Sequence, residues 1–465
     1  MDADQIRAAF LDYMAEQGHF LIPRAPLMPK DDPTTLFTGS GMQPLLPYLL
    51  GADHPAGTRL ADSQTCLRVQ DIEEVGDNRH TTFFEMLGNW SLGDYFKDEQ
   101  IPQFWTFLTD RVGLDPARIY VSCFIGDDAN GIPKDVESAA IWTRLFTEAG
   151  VNADQVEVDT EENAAAVGTN GARIAFYGKK NWWCRGGKAE NMPVGEPGGP
   201  DTEVFYLFPH VQHDPAFGEN CHQNCDCGRF IELGNSVFME YRRTESGFEP
   251  LPRRNVDYGG GLARIAAAAL DTSDVFRIGL LWPIVERLQE LTGRRYEDET
   301  VAMRVIADHL RGATFLAVDG VRPSNKAQGY VMRRLIRRAV RFAVELGLEE
   351  NFFPRIIPAV AGVYELHYPE VATHADEVVA VLAKEEQAFR RTLRKGLNQL
   401  ATHRDSGVSG VELFVLYDTY GFPVELSTEE ARRQGITVSA TWREEFDEQM
   451  AAQRARSQRS TTLHV

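Results

Sequence analysis

The sequence predicts an α/β chain, of the α+β kind: an antiparallel sheet flanked by helices, followed by an all-helical part. Two observations carry this expectation. Short segments rich in β-branched and aromatic residues alternate with glycine-rich or charged turns through the first part of the chain, as at Thr81–Leu87 and Phe230–Tyr241. Past residue 270 those signals fade, and Val378, Leu382, Phe389, Leu393, Leu397 and Leu400 recur at helical steps. The expected parts are residues 1–270, residues 271–459 and a polar, frayed tail at 460–465.

Taken in order, Ile6, Phe10 and Met14 lie at four-residue steps before Gly18, which predicts an amphipathic helix over residues 4–17. Asp32–Met42 reads as a short strand ending in glycines, hence a tight turn close to another backbone. Thr65–Asp94 reads as a hairpin: a segment ending at Arg68, a charged loop, then Thr81–Leu87. An inward arginine and a flat phenylalanine on a hairpin suit a nucleotide, the guanidinium gripping phosphate and the ring stacking on a purine. Helices are predicted at Ile101–Arg111 and Val136–Ala149, with a strand at Ile119–Phe124 between them. Asn181–Trp183 precedes a Gly/Pro-rich loop, Cys184–Pro200, before a strand at Asp201–Tyr206. After the strand Phe230–Tyr241, Pro250–Asn255 reads as a linker-like turn. Val256–Ala266 then reads as a strand end, a glycine turn and a helix start.

Bulk properties narrow the function. With 465 residues, 43% hydrophobic and 25% charged, the chain is globular and long enough for two or three domains. A net charge of −20 excludes indiscriminate coating of nucleic acid. Six unevenly spread cysteines make no disulfide framework and predict a reduced, cytoplasmic protein. No apolar run is long enough to span a bilayer, and no secretory signal opens the chain, so no membrane partner is expected. No GxxxxGK[ST] loop, helix-opening GxGxxG, HIGH or KMSKS string occurs, so a nucleotide site rests on the hairpin and sheet.

The string RVQDIEEVGDNRHTTFFEMLGNWSLGDYFK, residues 68–97, resembles motif 2 of the class II aminoacyl-tRNA synthetases in the form typical of the alanyl-tRNA synthetases. DPTTLFTGSGM (32–42), NWW (181–183), FIELGNSVFMEY (230–241) and VDYGGGLARI (256–265) resemble further segments of that family in the same order, the last being motif 3. The chain departs from the pattern in four places: Gly198 and Asp201 replace two cysteines, Tyr258 replaces Thr, and Ala263 replaces Glu. The resemblance implies the class II sheet and an alanine–tRNA ligase reaction that uses ATP and Mg²⁺. It implies Arg68 at the α-phosphate, Phe84 and Arg264 on the two faces of adenine, and His80 near the outer phosphates. Met86 and Gly261 complete the implied ATP site. For L-alanine it implies Asp257 on the ammonium group, with Trp183, Asn235, Val237 and Gly259 forming a small pocket. Arg68, Arg264 and Asp257 carry the implied catalysis. A non-catalytic, tRNA-binding relative is the competing reading; it has no need of those three residues together.

RPSNKAQGYVMRRLIRRAVR, residues 322–341, resembles the family's acceptor-stem helix. Nine basic residues, Arg333 among them, face two acidic ones between Val301 and Phe342, and Arg334, Arg337, Arg338 and Arg341 recur at helical spacing. Contact with the alanine tRNA is expected there, against the alternative of a solvated charged face. The resemblance places Asn325 and Asp418 on the wobble pair that identifies this tRNA. Cys221, Cys225 and Cys227, with Cys184 or His222 as a fourth ligand, suit a tetrahedral structural zinc; the alternative is free thiols in an inserted loop. No HxxxH of the family's editing domain occurs among the eleven histidines, so the chain is a fragment or works without editing in cis. A monomer is the default expectation.

Overall fold

A computed structural model describes residues 1–29, 35–184, 191–348 and 351–462. They form two compact units, one of Met1–Arg68 with Phe83–Trp282, the other of Val69–Thr82 with Pro283–Val465.

Among the described residues the first unit carries ten strands: β1 Phe20–Leu21, β2 Arg59–Leu67, β3 Phe83–Leu92, β4 Ile119–Phe124, β5 Gln155–Asp159, β6 Ile174–Tyr177, β7 Trp182–Cys184, β8 Pro197–Leu207, β9 Phe230–Thr244 and β10 Gly247–Gly261. Their order is β1-β2-β3-β10-β9-β8-β4-β6-β5, with β7 on β8. The central pairings are antiparallel; β1 on β2 and the β4, β6, β5 run are parallel. The predicted hairpin is β2 and β3. Helix Ala3–Glu16 opens with a capping box between Asp2 and Gln5. Its Arg7 meets Glu85 of β3 through two 2.7 Å hydrogen bonds in the interior. Phe10 of the same helix packs its ring 5.1 Å from Phe107 and 6.1 Å from Tyr258. The Thr-to-Tyr departure at Tyr258 is therefore a core substitution.

Register explains how distant motifs converge. Asp257 on β10 lies opposite Trp90 on β3 and Val237 on β9, and Val237 lies opposite Asp201 on β8. One step along, Gly88, Gly259, Asn235 and Glu203 form a second row across the same strands. Directly opposed residues share a face, and residues two apart share it too, so both rows line one surface.

Several expectations need correction. Pro250–Asn255 is not a turn: β10 runs through it, and a bulge between Pro250 and Asn255 absorbs the prolines. Thr35–Met42 contains no strand, its backbone being held as a loop by Thr38 to Leu27 and Pro26; residues 32–34 of that prediction lie outside the described ones. Both ends of the predicted Cys184–Pro200 loop are strand, since β7 takes Cys184 and β8 begins at Pro197; residues 185–190 of that prediction lie outside the described ones. The tail expected to fray from residue 460 begins inside a helix, Trp442–Thr462; residues 463–465 lie outside the described ones.

The second unit is helical. Thr300–Val318 packs on Ala327–Glu345, with Ala375–Ala401 against both. Val69–Thr82 belongs to it through buried polar contacts: Thr82 N donates to Asp308 at 2.9 Å, and Arg338 donates to the carbonyls of Ile72 at 2.9 Å and Val75 at 3.2 Å.

Candidate active site

A cavity of about 540 Å³ opens on the sheet surface of the first unit. It is lined by Arg68, Met86, Trp183, Asn235, Val237, Asp257 and Gly259, together with Thr35, Ser40, Met42, Gln43, Leu46, Cys184 and Glu232. Seven residues implied by sequence are thus gathered from β3, β7, β9, β10 and the end of β2.

The floor depends on missing side chains. A Cβ on Gly88 would sit 2.2 Å from the Trp90 ring, and one on Gly259 would sit 2.8 Å from Met86 Sδ. Glycine at both positions lets Trp90 and Met86 lie flat. Trp90 Nε1 then donates to Asp257 Oδ1 at 2.7 Å and aims the carboxyl. Asp257 is only 8% exposed, and burial pushes its pKa up to about 7. Asp201, also buried, is raised to about 7, and Glu203 is raised well above the usual carboxylate range; burial is the main cause in both, with Glu232 adding like charge. Asn181 donates to Asp201 at 2.9 Å, and Asn235 Oδ1 has no hydrogen-bond partner among the described residues. A buried surface with this much acid and an unused acceptor favours a small cation such as an ammonium group.

Arg68 lies half-buried at the end of β2. Its Nε donates to Gly39 O at 3.1 Å, and its guanidinium is 4.9 Å from the centre of the Phe84 ring. Arg264 opens helix Leu262–Ala269, beside Gly261, and lies 3.4 Å from Glu232. Phe84, Gly261 and Arg264 stand outside the lining, tied to it through Arg68 and Glu232. Sequence reasoning missed Glu232 and the run Ser40–Leu46. The glycines at Gly39 and Gly41 were the available signal: a Cβ on Gly41 would meet the Trp90 ring at 3.0 Å. His80 belongs to the second unit, where Asp77 (2.6 Å) and Glu74 (3.1 Å) hold its ring. The Asp77 hydrogen bond raises its pKa, and both ring nitrogens lie against carboxylates.

The basic stripe of helix Ala327–Glu345 is not a solvated face. Arg338 is 3% exposed and grips Glu429 through two 2.8 Å bonds. Arg333 and Arg337 each donate to Glu385 at 2.8 Å, Arg341 to Glu430 at 2.8 Å, and Arg334 to Glu73 at 3.1 Å. Acidic residues distant in sequence neutralise the stripe, which is why the local count overstated it. Asn325 and Asp418 are exposed; Asn325 accepts from Arg333, and Asp418 from Gln453.

The cysteine prediction also changes. Cys221, Cys225 and Cys227 come together with His213. Cys184 does not join them, because β7 directs it into the cavity and the Phe124–Trp182 cluster. His222 instead pairs with the Tyr177 hydroxyl at 3.0 Å.

Comparison with known proteins agrees with this geometry. The model of the family "tRNA synthetases class II (A)" matches residues 5–464. The chain is 41% identical over 454 residues to the alanine–tRNA ligase of Treponema pallidum (strain Nichols), covering 94% of this chain and 69% of that protein. It is 40% identical over 463 residues to the alanine–tRNA ligase of Treponema denticola, with 96% and 71% covered. For the alanine–tRNA ligase of Thermotoga petrophila the identity is 39% over 465 residues, covering 98% of this chain and 49% of that one. The chain therefore spans from about half to about seven tenths of the length of these relatives. With its motifs converging on one cavity and the match running almost from end to end, the chain resembles alanine–tRNA ligases and belongs to the class II (A) tRNA synthetases.

Proposed function

We propose that this chain is the aminoacylating part of an alanine–tRNA ligase. An alanine carboxylate oxygen attacks the α-phosphorus of ATP, bound as its magnesium complex, and pyrophosphate leaves. The terminal hydroxyl of the alanine tRNA then attacks the acyl carbon and gives up its proton, and AMP leaves. Two anions meet in the first step, so fixed positive charge at the α-phosphate lowers the barrier. Arg68 fills that role at the cavity wall, with Phe84 beneath the base and Arg264 over it. Asp257 takes the ammonium group, and Trp183 and Val237 close the space beyond a methyl side chain. The single observation that supports this reading is the lining of one cavity by Arg68, Asp257, Trp183, Asn235 and Val237.

A small pocket separates substrates differing by a methyl group by only about 1–3 kcal/mol, and it rejects an added hydroxyl poorly. Weak activation of glycine and serine is part of the proposal. In the helical unit, the exposed Asn325 and Asp418 are the proposed readers of the acceptor stem. Arg334 and Arg338 have a supporting role there, since both are buried. The test is alanine-dependent ATP–pyrophosphate exchange with every amino acid run in parallel. Exchange with alanine, weaker with glycine and serine, is expected; no exchange with any amino acid would overturn the reading.

A further inference from the structure

Between β8 and β9 the chain makes a loop, residues 208–229, that the aminoacylation site does not use directly. Phe208 N donates to Arg229 O at 2.8 Å and closes its neck. Within it Cys221 Sγ lies 3.6 Å from Cys227 Sγ, and Cys225 Sγ lies 3.7 Å from His213 Nδ1. The four donor atoms all fall within 4.8 Å of one another. Zinc–sulfur bonds of about 2.3 Å in a tetrahedron set donors about 3.8 Å apart, so the two closest pairs have the edge length of such a site. A disulfide needs sulfurs about 2.0 Å apart, and all three cysteines are free.

An independent observation concerns the histidine. His213 Nε2 lies 2.9 Å from Gly218 O, an acceptor, so Nε2 carries the proton. Nδ1 then presents its lone pair towards Cys225. A backbone carbonyl that fixes the ring's tautomer and direction is the usual support of a metal-bound imidazole. The short helical turn Pro215–Phe217, capped by Asp214, folds the chain back so that Gly218 reaches the ring. Gly218 has φ +126° and lies so near Ala165 that a Cβ would meet it at 2.6 Å, so a side chain there would displace the carbonyl. The loop is anchored on the same side by Asn220, whose N donates to Ala165 O at 2.8 Å, and by Gln223 Nε2 to Ala172 O at 3.1 Å.

We infer that His213, Cys221, Cys225 and Cys227 form a structural Zn²⁺ site that clamps the β8–β9 connection. Three thiolates and one imidazole fill all four positions, and this soft, closed donor set selects zinc over magnesium or calcium. The clamp sits between β8, which carries Asp201 and Glu203, and β9, which carries Glu232, Asn235 and Val237. It holds the register of the two strands that make one side of the cavity.

The test is the metal content of the full chain, purified in reductant, then stripped with EDTA and titrated with Co²⁺. About one zinc per chain is expected, with thiolate-to-cobalt charge transfer and the intense visible bands of four-coordinate cobalt on titration. Cys184→Ser should keep the zinc, whereas Cys221→Ser and His213→Ala should lose it. The stripped wild-type chain carries the test should those variants fail to fold. Folded, metal-free protein that gives no thiolate-to-cobalt bands would overturn the inference, and so would a Cys221–Cys227 disulfide or loss of zinc from Cys184→Ser.

Discussion

At the scale of single residues, Arg68 and Asp257 make the sharpest predictions. Arg68→Ala removes the fixed charge at the α-phosphate and should lower pyrophosphate exchange by about 10²–10³-fold, with the circular dichroism spectrum unchanged. Near-normal exchange would take Arg68 out of the mechanism. Asp257 must be ionised to hold an ammonium group, yet burial raises its pKa from 3.8 to about 7. The KM for alanine should therefore rise about tenfold for each pH unit below 7, as a neutral carboxyl fills the free site; a flat profile between pH 5 and 8 would contradict it. The same shift has a stability sign. The folded chain keeps a proton that the unfolded chain gives up between about pH 4 and 7, so stability is lost as pH rises through that window. Asp257→Asn should thus abolish alanine activation and raise the melting temperature at pH 8, with the gain vanishing near pH 4. Both residues were legible because each sits in a long motif. Glu232 was not, since its importance comes from lying across the cavity from residues remote in the chain.

At the scale of elements, the arginine helix Ala327–Glu345 shows how a local pattern misleads. Spacing located the helix and its stripe, but the partners, Glu385, Glu429 and Glu430, lie on later helices. Arg338 is the most committed of these side chains, joining Glu429, His309 and two carbonyls of the 69–82 segment. Arg338→Ala leaves those groups without their donor and should cost about 3–5 kcal/mol in urea denaturation. Arg338→Lys should recover only part, because an ammonium cannot reproduce the guanidinium fork. A loss below about 1 kcal/mol for the alanine variant would make this a surface pair, not an interior clamp. The residues 250–255 teach the same lesson from the other side: two prolines read as a turn, but pairing of the flanking residues with β9 carries the strand past them.

At the scale of the whole molecule, the two units answer different halves of one assay. Asn325→Ala and Asp418→Ala should slow aminoacylation of an acceptor-stem hairpin, with pyrophosphate exchange continuing near the wild-type rate. Equal loss in both assays would remove these residues from acceptor recognition. The effect is expected to be that of a base-edge contact, about 1–3 kcal/mol, and to depend little on salt. Phosphate contacts, by contrast, give a steep salt dependence, and the arginines that would make them are already paired with carboxylates.

The sequence by itself determined the fold class, the hairpin and the helix start at Arg264; the glycine turn it predicted there is instead the end of β10, where Gly259, Gly260 and Gly261 pair with β3. Those features are local or carried by long motifs, and local propensity and motif spacing survive without knowledge of the fold. Tertiary structure alone decided which side chains meet. It set Asp257 against Trp90, turned Cys184 towards the cavity, brought His213 to the three cysteines and neutralised the basic stripe. Strand register and helix packing fix such meetings, and they are properties of pairs of segments far apart in the chain.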